Sequence, residues 1–113
     1  MAKINSKQKG KNGELEFVKK CKEYGFENAR RSQQYAGINH DADVVGLPDI
    51  HIEVKRVERL NIDAAMEQAQ RDKKEEELAI VAHRKNNKEW LITMTVDEWF
   101  EIYKRYLLTR GNE

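Results

Sequence analysis

The segment Asp41–Arg56, DADVVGLPDIHIEVKR, constrains this chain more than any other. In a strand, successive side chains face opposite ways. Ile50, Ile52 and Val54 therefore line one face, and Asp49, His51, Glu53 and Lys55 line the other. Buried charge is costly unless it is paired or bound to a metal. A strand that gathers two carboxylates, an imidazole and an ammonium on one face reads as the wall of a site. Glu53 and Lys55 put a metal-binding oxygen and a fixed positive charge about 7 Å apart at the backbone. That suits a divalent cation held beside a phosphate, with a water activated between them. The plain alternative is a structural strand whose charges pair with one another.

One carboxylate rarely holds Mg²⁺ against its hydration shell, and two more stand nearby, Asp43 and Asp49. In one strand Asp49 and Glu53 are separated by about 13 Å of rise, too far to share an ion. Gly46-Leu47-Pro48 is turn chemistry, which predicts that Asp43-Val44-Val45 folds back antiparallel onto Ile50–Lys55. Pairing Val45 with His51 sets Asp43 opposite Glu53, with Cβ atoms about 5 Å apart. Asp43 is thus the expected second ligand, and Asp49 the expected turn or strand-start residue.

The rest of the chain is read around this hairpin. At 113 residues it is long enough for one small core. No apolar run approaches the ~18 residues of a membrane span, and the start MAKINSKQKGK does not read as a signal peptide. The single cysteine, Cys21, fits a reducing compartment, so a cytoplasmic location is expected. A net charge of +1 excludes a wholly basic nucleic-acid binder. The basic residues are uneven, however, with Lys3, Lys7, Lys9 and Lys11 all preceding the first acid, Glu14. Residues 1–10 are expected to form a flexible basic arm, either gripping phosphates or serving solubility, with one domain over 11–113.

Asn12 can cap a helix from Gly13 to Tyr24, with Phe17, Val18 and Cys21 on one face. Glu14 then reads as a first-turn acid favoured by the helix dipole. Residues 29–34 (ARRSQQ) predict a strand and 35–41 a loop, in which His40 and Asp41 are polar loop residues. Arg30, Arg31, Arg56 and Arg71, with Lys9 and Lys11, are candidate phosphate contacts; paired arginines are otherwise a solvated edge. Asn61 caps a predicted helix over 62–76 with Ile62, Ala65, Met66 and Ala69 as its stripe. LAIVAH (78–83) and EWLITM (89–94) predict two strands joined at Lys85-Asn86-Asn87. Thr95–Glu98 is a capping box opening a last helix with Val96, Trp99, Phe100, Tyr103 and Leu107 inward. Ile102 and Tyr106 lie off that stripe, a possible partner surface. The order α-β-β-β-α-β-β-α gives a mixed central sheet flanked by helices, α/β or α+β in class.

An Asp, a hairpin turn and then Glu53-Val54-Lys55 resemble the PD-(D/E)xK nuclease superfamily. Upstream, Lys9-Gly10-Lys11-Asn12-Gly13-Glu14-Leu15-Glu16-Phe17 followed by Tyr24-Gly25-Phe26 resembles the opening of archaeal-type Holliday-junction resolvases and their small phage-encoded versions. Arg31-Ser32, Asp43 and a glutamine-bearing helix follow in the family's order, so the similarity spans residues 9–103. The turn between Asp43 and Glu53 is short for the archaeal pattern, which keeps Asp49 in play. The resemblance implies a restriction-endonuclease-like fold and a Mg²⁺-dependent endonuclease, with Mn²⁺ as substitute, that cuts four-way DNA junctions to leave 5′-phosphates. It implies that Asp43, Glu53 and Glu14 hold the metal, that Lys55 works on the attacking water, and that Gln68, or failing it Gln70, reaches the site. It further implies a homodimer, matching the near-twofold symmetry of a junction, in a bacterial or phage-infected cell. Competing readings are the same chemistry on flap, nicked or duplex DNA, and a non-catalytic DNA-binding or assembly protein on the same fold.

Overall fold

The computed structural model describes residues 6–32 and 42–111. The predicted loop residues His40 and Asp41, and residues 1–5 of the expected arm, lie outside them. Helix α1 (Ser6–Glu23) starts well before Gly13, so residues 6–10 are helix rather than arm and Asn12 is interior rather than a cap. The cause is the run of helix-favouring Lys and Gln side chains upstream, where the Gln8 amide also donates to Asn12 Oδ1 at 3.0 Å.

Strands β1 (Arg30–Arg31), β2 (Val44–Val45) and β3 (Ile50–Arg56) follow, then helix α2 (Ile62–Asp72), strands β4 (Leu78–Arg84) and β5 (Leu91–Thr93), and helix α3 (Val96–Gly111). This is the expected order, an α+β arrangement of five strands and three helices among the described residues. The strands lie side by side in chain order. Neighbours are antiparallel except β3 and β4, which run parallel from Ile50–Leu78 to Arg56–Arg84. Parallel neighbours need a crossover, and α2 supplies it. Asn61 caps that helix by accepting from the Ala64 N–H at 3.1 Å. The helix stops at Asp72, short of the predicted 76, where Lys73 turns to extended backbone.

Alternation sends the central strands into two cores. Ile52, Val54, Ile80 and Ala82 meet Phe17, Val18 and Cys21 of α1. Ala79 and Val81, on the other face, meet Ala65 and Ala69 of α2. Both faces of β3 are therefore covered at its centre, where His51 is 3 % and Glu53 1 % exposed, while Lys55 toward its end is half-buried. Two glycines permit the close approaches. A Cβ on Gly13 would lie 2.5 Å from Cβ of Arg56, so α1 rests directly on β3. Gly46 opens the β2–β3 turn at φ +103°, where a Cβ would meet the Asn28 carbonyl oxygen at 2.1 Å.

Helix α3 departs from expectation. Its N-terminus is capped by Thr95, whose Oγ1 accepts from the Glu98 N–H at 3.3 Å. None of its residues is buried, and the predicted inward stripe is open, with Trp99 46 % and Tyr103 42 % exposed. The sheet ends at the three-residue β5, itself open at Leu91 and Ile92, so among the described residues no layer covers the helix. Among the described residues no helix is long and apolar enough to cross a membrane.

Candidate active site

The hairpin forms in the predicted register. Val44 pairs with Ile52, and the Asp43 N–H donates to the Ile52 carbonyl at 2.8 Å. Asp43 Oδ2 accepts from the Val54 N–H at 2.8 Å, which aims its carboxyl group along β3. There it lies within electrostatic reach of Glu53. Burial, foremost, and then the Glu53 charge raise the Asp43 pKa to about 7; the Val54 N–H opposes the rise and Glu14 adds to it. Two carboxyl groups in one dry place are short of a positive charge. Asp49 sits elsewhere, exposed in the turn at φ +64°, its carbonyl accepting from the Leu78 N–H.

Glu53 is held on both oxygens. Nε2 of His51 lies 2.7 Å from Oε1 and the ring N–H donates to it. The Gln68 amide donates to Oε2 across a long 3.5 Å. Burial works to lower the His51 pKa, but the Glu53 hydrogen bond and charge, with Glu77 and Asp72 behind, raise it on balance. Lys55 in turn donates to Gln68 Oε1 at 3.4 Å. Gln68 thus bridges the carboxylate and the ammonium that alternation places on one face. Gln70 points away, its amide donating to Glu98 Oε2 at 2.9 Å.

The remaining candidates divide. Glu14, on the first helix, lies within electrostatic range of Asp43, but its Oε1 accepts from Arg31 Nε at 2.8 Å. Arg56 pairs with Glu16 at 3.4 Å and donates to Asn86 Oδ1 at 2.9 Å. Arg71 pairs with its neighbour Asp72, and Arg30 donates to the Asn28 carbonyl. Three of the four candidate arginines are thus engaged by acids. Lys9 and Arg56 share a groove of about 320 Å³ with Asn12, Gly13, Glu16 and Asn86. Lys11 is exposed on the same helix.

Sequence reasoning missed Glu16 altogether. It accepts from both Arg56 and Arg84, like charges directly opposite across the parallel β3–β4 pair. Its pKa is lowered: burial works to raise it, and the two arginines prevail. Only the long-range register reveals that role. Among the described residues no three His, Cys, Asp or Glu side chains are disposed to hold a metal between them. Asp43 and Glu53 are the two carboxylates brought together, and such a pair, with the remaining positions left to water, would suit Mg²⁺. No protein-family model matches the chain, and neither a curated protein nor a solved structure matches it.

Proposed function

We propose that the chain is a Mg²⁺-dependent DNA endonuclease selective for four-way junctions, with Mn²⁺ an effective substitute. The observation that carries this reading is half-buried Asp43 set against buried Glu53, with Lys55 linked to Glu53 through Gln68. A bound divalent cation supplies charge neutralisation and an activated water. Asp43 and Glu53 hold it, with Glu14 adding negative charge beside Asp43. His51 and Gln68 fix the two oxygens of Glu53, so the ligand does not swing when substrate arrives. Lys55 orients the attacking water and stabilises charge growing on the phosphate. Lys9, Lys11 and Arg56 grip the backbone beside the site, while Arg30, Arg31 and Arg71 contribute at its edges. Two matched cuts in a near-twofold substrate call for a homodimer.

Incubation of the protein with a synthetic four-way junction and with linear duplex, each with Mg²⁺ and with EDTA, tests the reading. Cleavage of the junction alone, lost in EDTA and in Asp43→Asn, is the expected result. Equal cleavage of duplex would move the substrate to ordinary DNA. Junction binding without cleavage in Mg²⁺ would leave a non-catalytic binder.

A further inference from the structure

Helix α3 carries an apolar stripe that none of the described residues covers. Val96, Trp99, Phe100, Tyr103 and Leu107 recur at spacings of three and four, the pattern of a helix packed along its length against another helix, and Tyr106, expected off this stripe, joins it by stacking on Tyr103. All six are exposed, from 40 % at Leu107 to 68 % at Val96. The rings are already ordered. Trp99 and Tyr103 stack at 5.3 Å, Tyr103 and Tyr106 at 6.2 Å, and Trp99 meets Phe100 edge-on at 4.9 Å. The root of the helix is fixed as well. Glu98 Oε1 accepts from the Ala79 N–H at 2.8 Å and Oε2 from the Gln70 amide, pinning α3 to β4 and α2. A pinned helix with pre-stacked aromatics presents a surface at little entropic cost.

We infer that this stripe is the self-association surface of the protein, and that two copies of α3 pack antiparallel across a twofold axis near Tyr103. The charges select the occupant. Asp97 stands in the first turn of the helix and Arg110 in the last, while Glu98 is held by the body of the molecule and Glu101 pairs with Arg105 at 3.8 Å within the helix. A parallel pair sets Asp97 beside Asp97 and Arg110 beside Arg110. An antiparallel pair brings Arg110, which continues the stripe, beside the partner's Val96 and Asp97. Such pairing is what a twofold, self-complementary interface requires. The balance of signs also disfavours a lipid surface, because interfacial helices carry a cationic polar face. Six half-exposed apolar residues, four of them aromatic, offer on the order of several hundred Å² per protomer. That approaches the roughly 800 Å² per partner of a standard interface.

The inference does not depend on the nuclease chemistry. A dimer that cuts nothing leaves it standing, and an active monomer overturns it without touching the active site. The test is the solution mass of the full chain by sedimentation at micromolar concentration, with three variants. The parent should have twice the chain mass, and Tyr103→Lys, with unchanged circular dichroism, should weaken the dimer about 100-fold or more. Under mild oxidation Tyr103→Cys should link to its own copy. Val96→Cys should not, and should link instead to Arg110→Cys when the two are mixed. The native Cys21 is buried and stays out of this exchange. If Tyr103→Lys does not fold, the cysteine pairs decide alone. A monomeric parent, a dimer indifferent to Tyr103→Lys, or Val96→Cys linking to itself as readily as Tyr103→Cys overturns the inference. A monomer that sediments with phosphatidylglycerol vesicles would assign the stripe to a membrane surface instead, and one that does not would assign it to another protein.

Discussion

Asp43 binds its proton more tightly in the fold than in the unfolded chain, because burial and the Glu53 and Glu14 charges raise its pKa to about 7. Without a divalent cation, the contribution of that proton is complete below about pH 4. It is lost as the pH rises through about 7. Asp43→Asn should therefore be more stable than the parent in EDTA at about pH 8, by on the order of 1–3 kcal/mol, while cleaving nothing. Melting curves of both proteins at acidic and alkaline pH, with EDTA and with Mg²⁺, check it; coincident alkaline melts would show that the pair is unstrained. Lys55→Ala should slow junction cleavage by about 100-fold or more and change junction affinity little, which single-turnover rates beside binding curves separate. Binding lost in step with rate would make Lys55 a phosphate clamp. The juxtaposition of Asp43 and Glu53 was legible because a turn of fixed length sets the register. Gln68 was preferred to Gln70 because it borders the apolar stripe of α2, but the partner that Gln70 takes was not legible, since Glu98 arrives from the far end of the chain.

Among the elements, α1 is the one whose two interior glycines behave oppositely. At Gly13 a methyl group would meet Arg56 Cβ at 2.5 Å, whereas at Gly10 it would meet nothing within 4 Å. Gly13→Ala should thus cost about 1–3 kcal/mol by lifting the helix from β3, less any gain in helix propensity. Gly10→Ala should stabilise by up to about 1 kcal/mol. Chemical denaturation of the two variants beside the parent decides; a stabilising Gly13→Ala would mean that α1 gives way freely. The contrast shows what local pattern carries and what it does not. The apolar spacing of Phe17, Val18 and Cys21 found the buried face of α1. Its start was misplaced because Asn12, a good cap in isolation, competes with the helix-forming residues before it. The stripe of α3 was found as a stripe, but periodicity records only that a face wants covering and cannot say by what.

For the whole molecule, the proposed homodimer would pair its sites and so its cuts. A supercoiled plasmid extruding a cruciform should pass to linear product with little nicked circle when enzyme is scarce, because both strands are cut in one encounter. Nicked circle accumulating first would show that the two cuts need separate encounters. The topology carries a consequence of another kind, in the order of folding. Asp43 and Glu53 meet across a hairpin closed by a few residues, at low loop-closure cost. Gln68 reaches them only when β3 and β4 pair across the whole of α2, a non-local and slower event. The acidic pair therefore forms first and is covered later. On the proposed function, a cation present from the start of refolding would meet the two carboxylates while they are still open to water. Stopped-flow refolding should then be faster in Mg²⁺, through a folding limb raised along its length. An effect confined to unfolding would place the meeting of the two carboxylates after the sheet has closed.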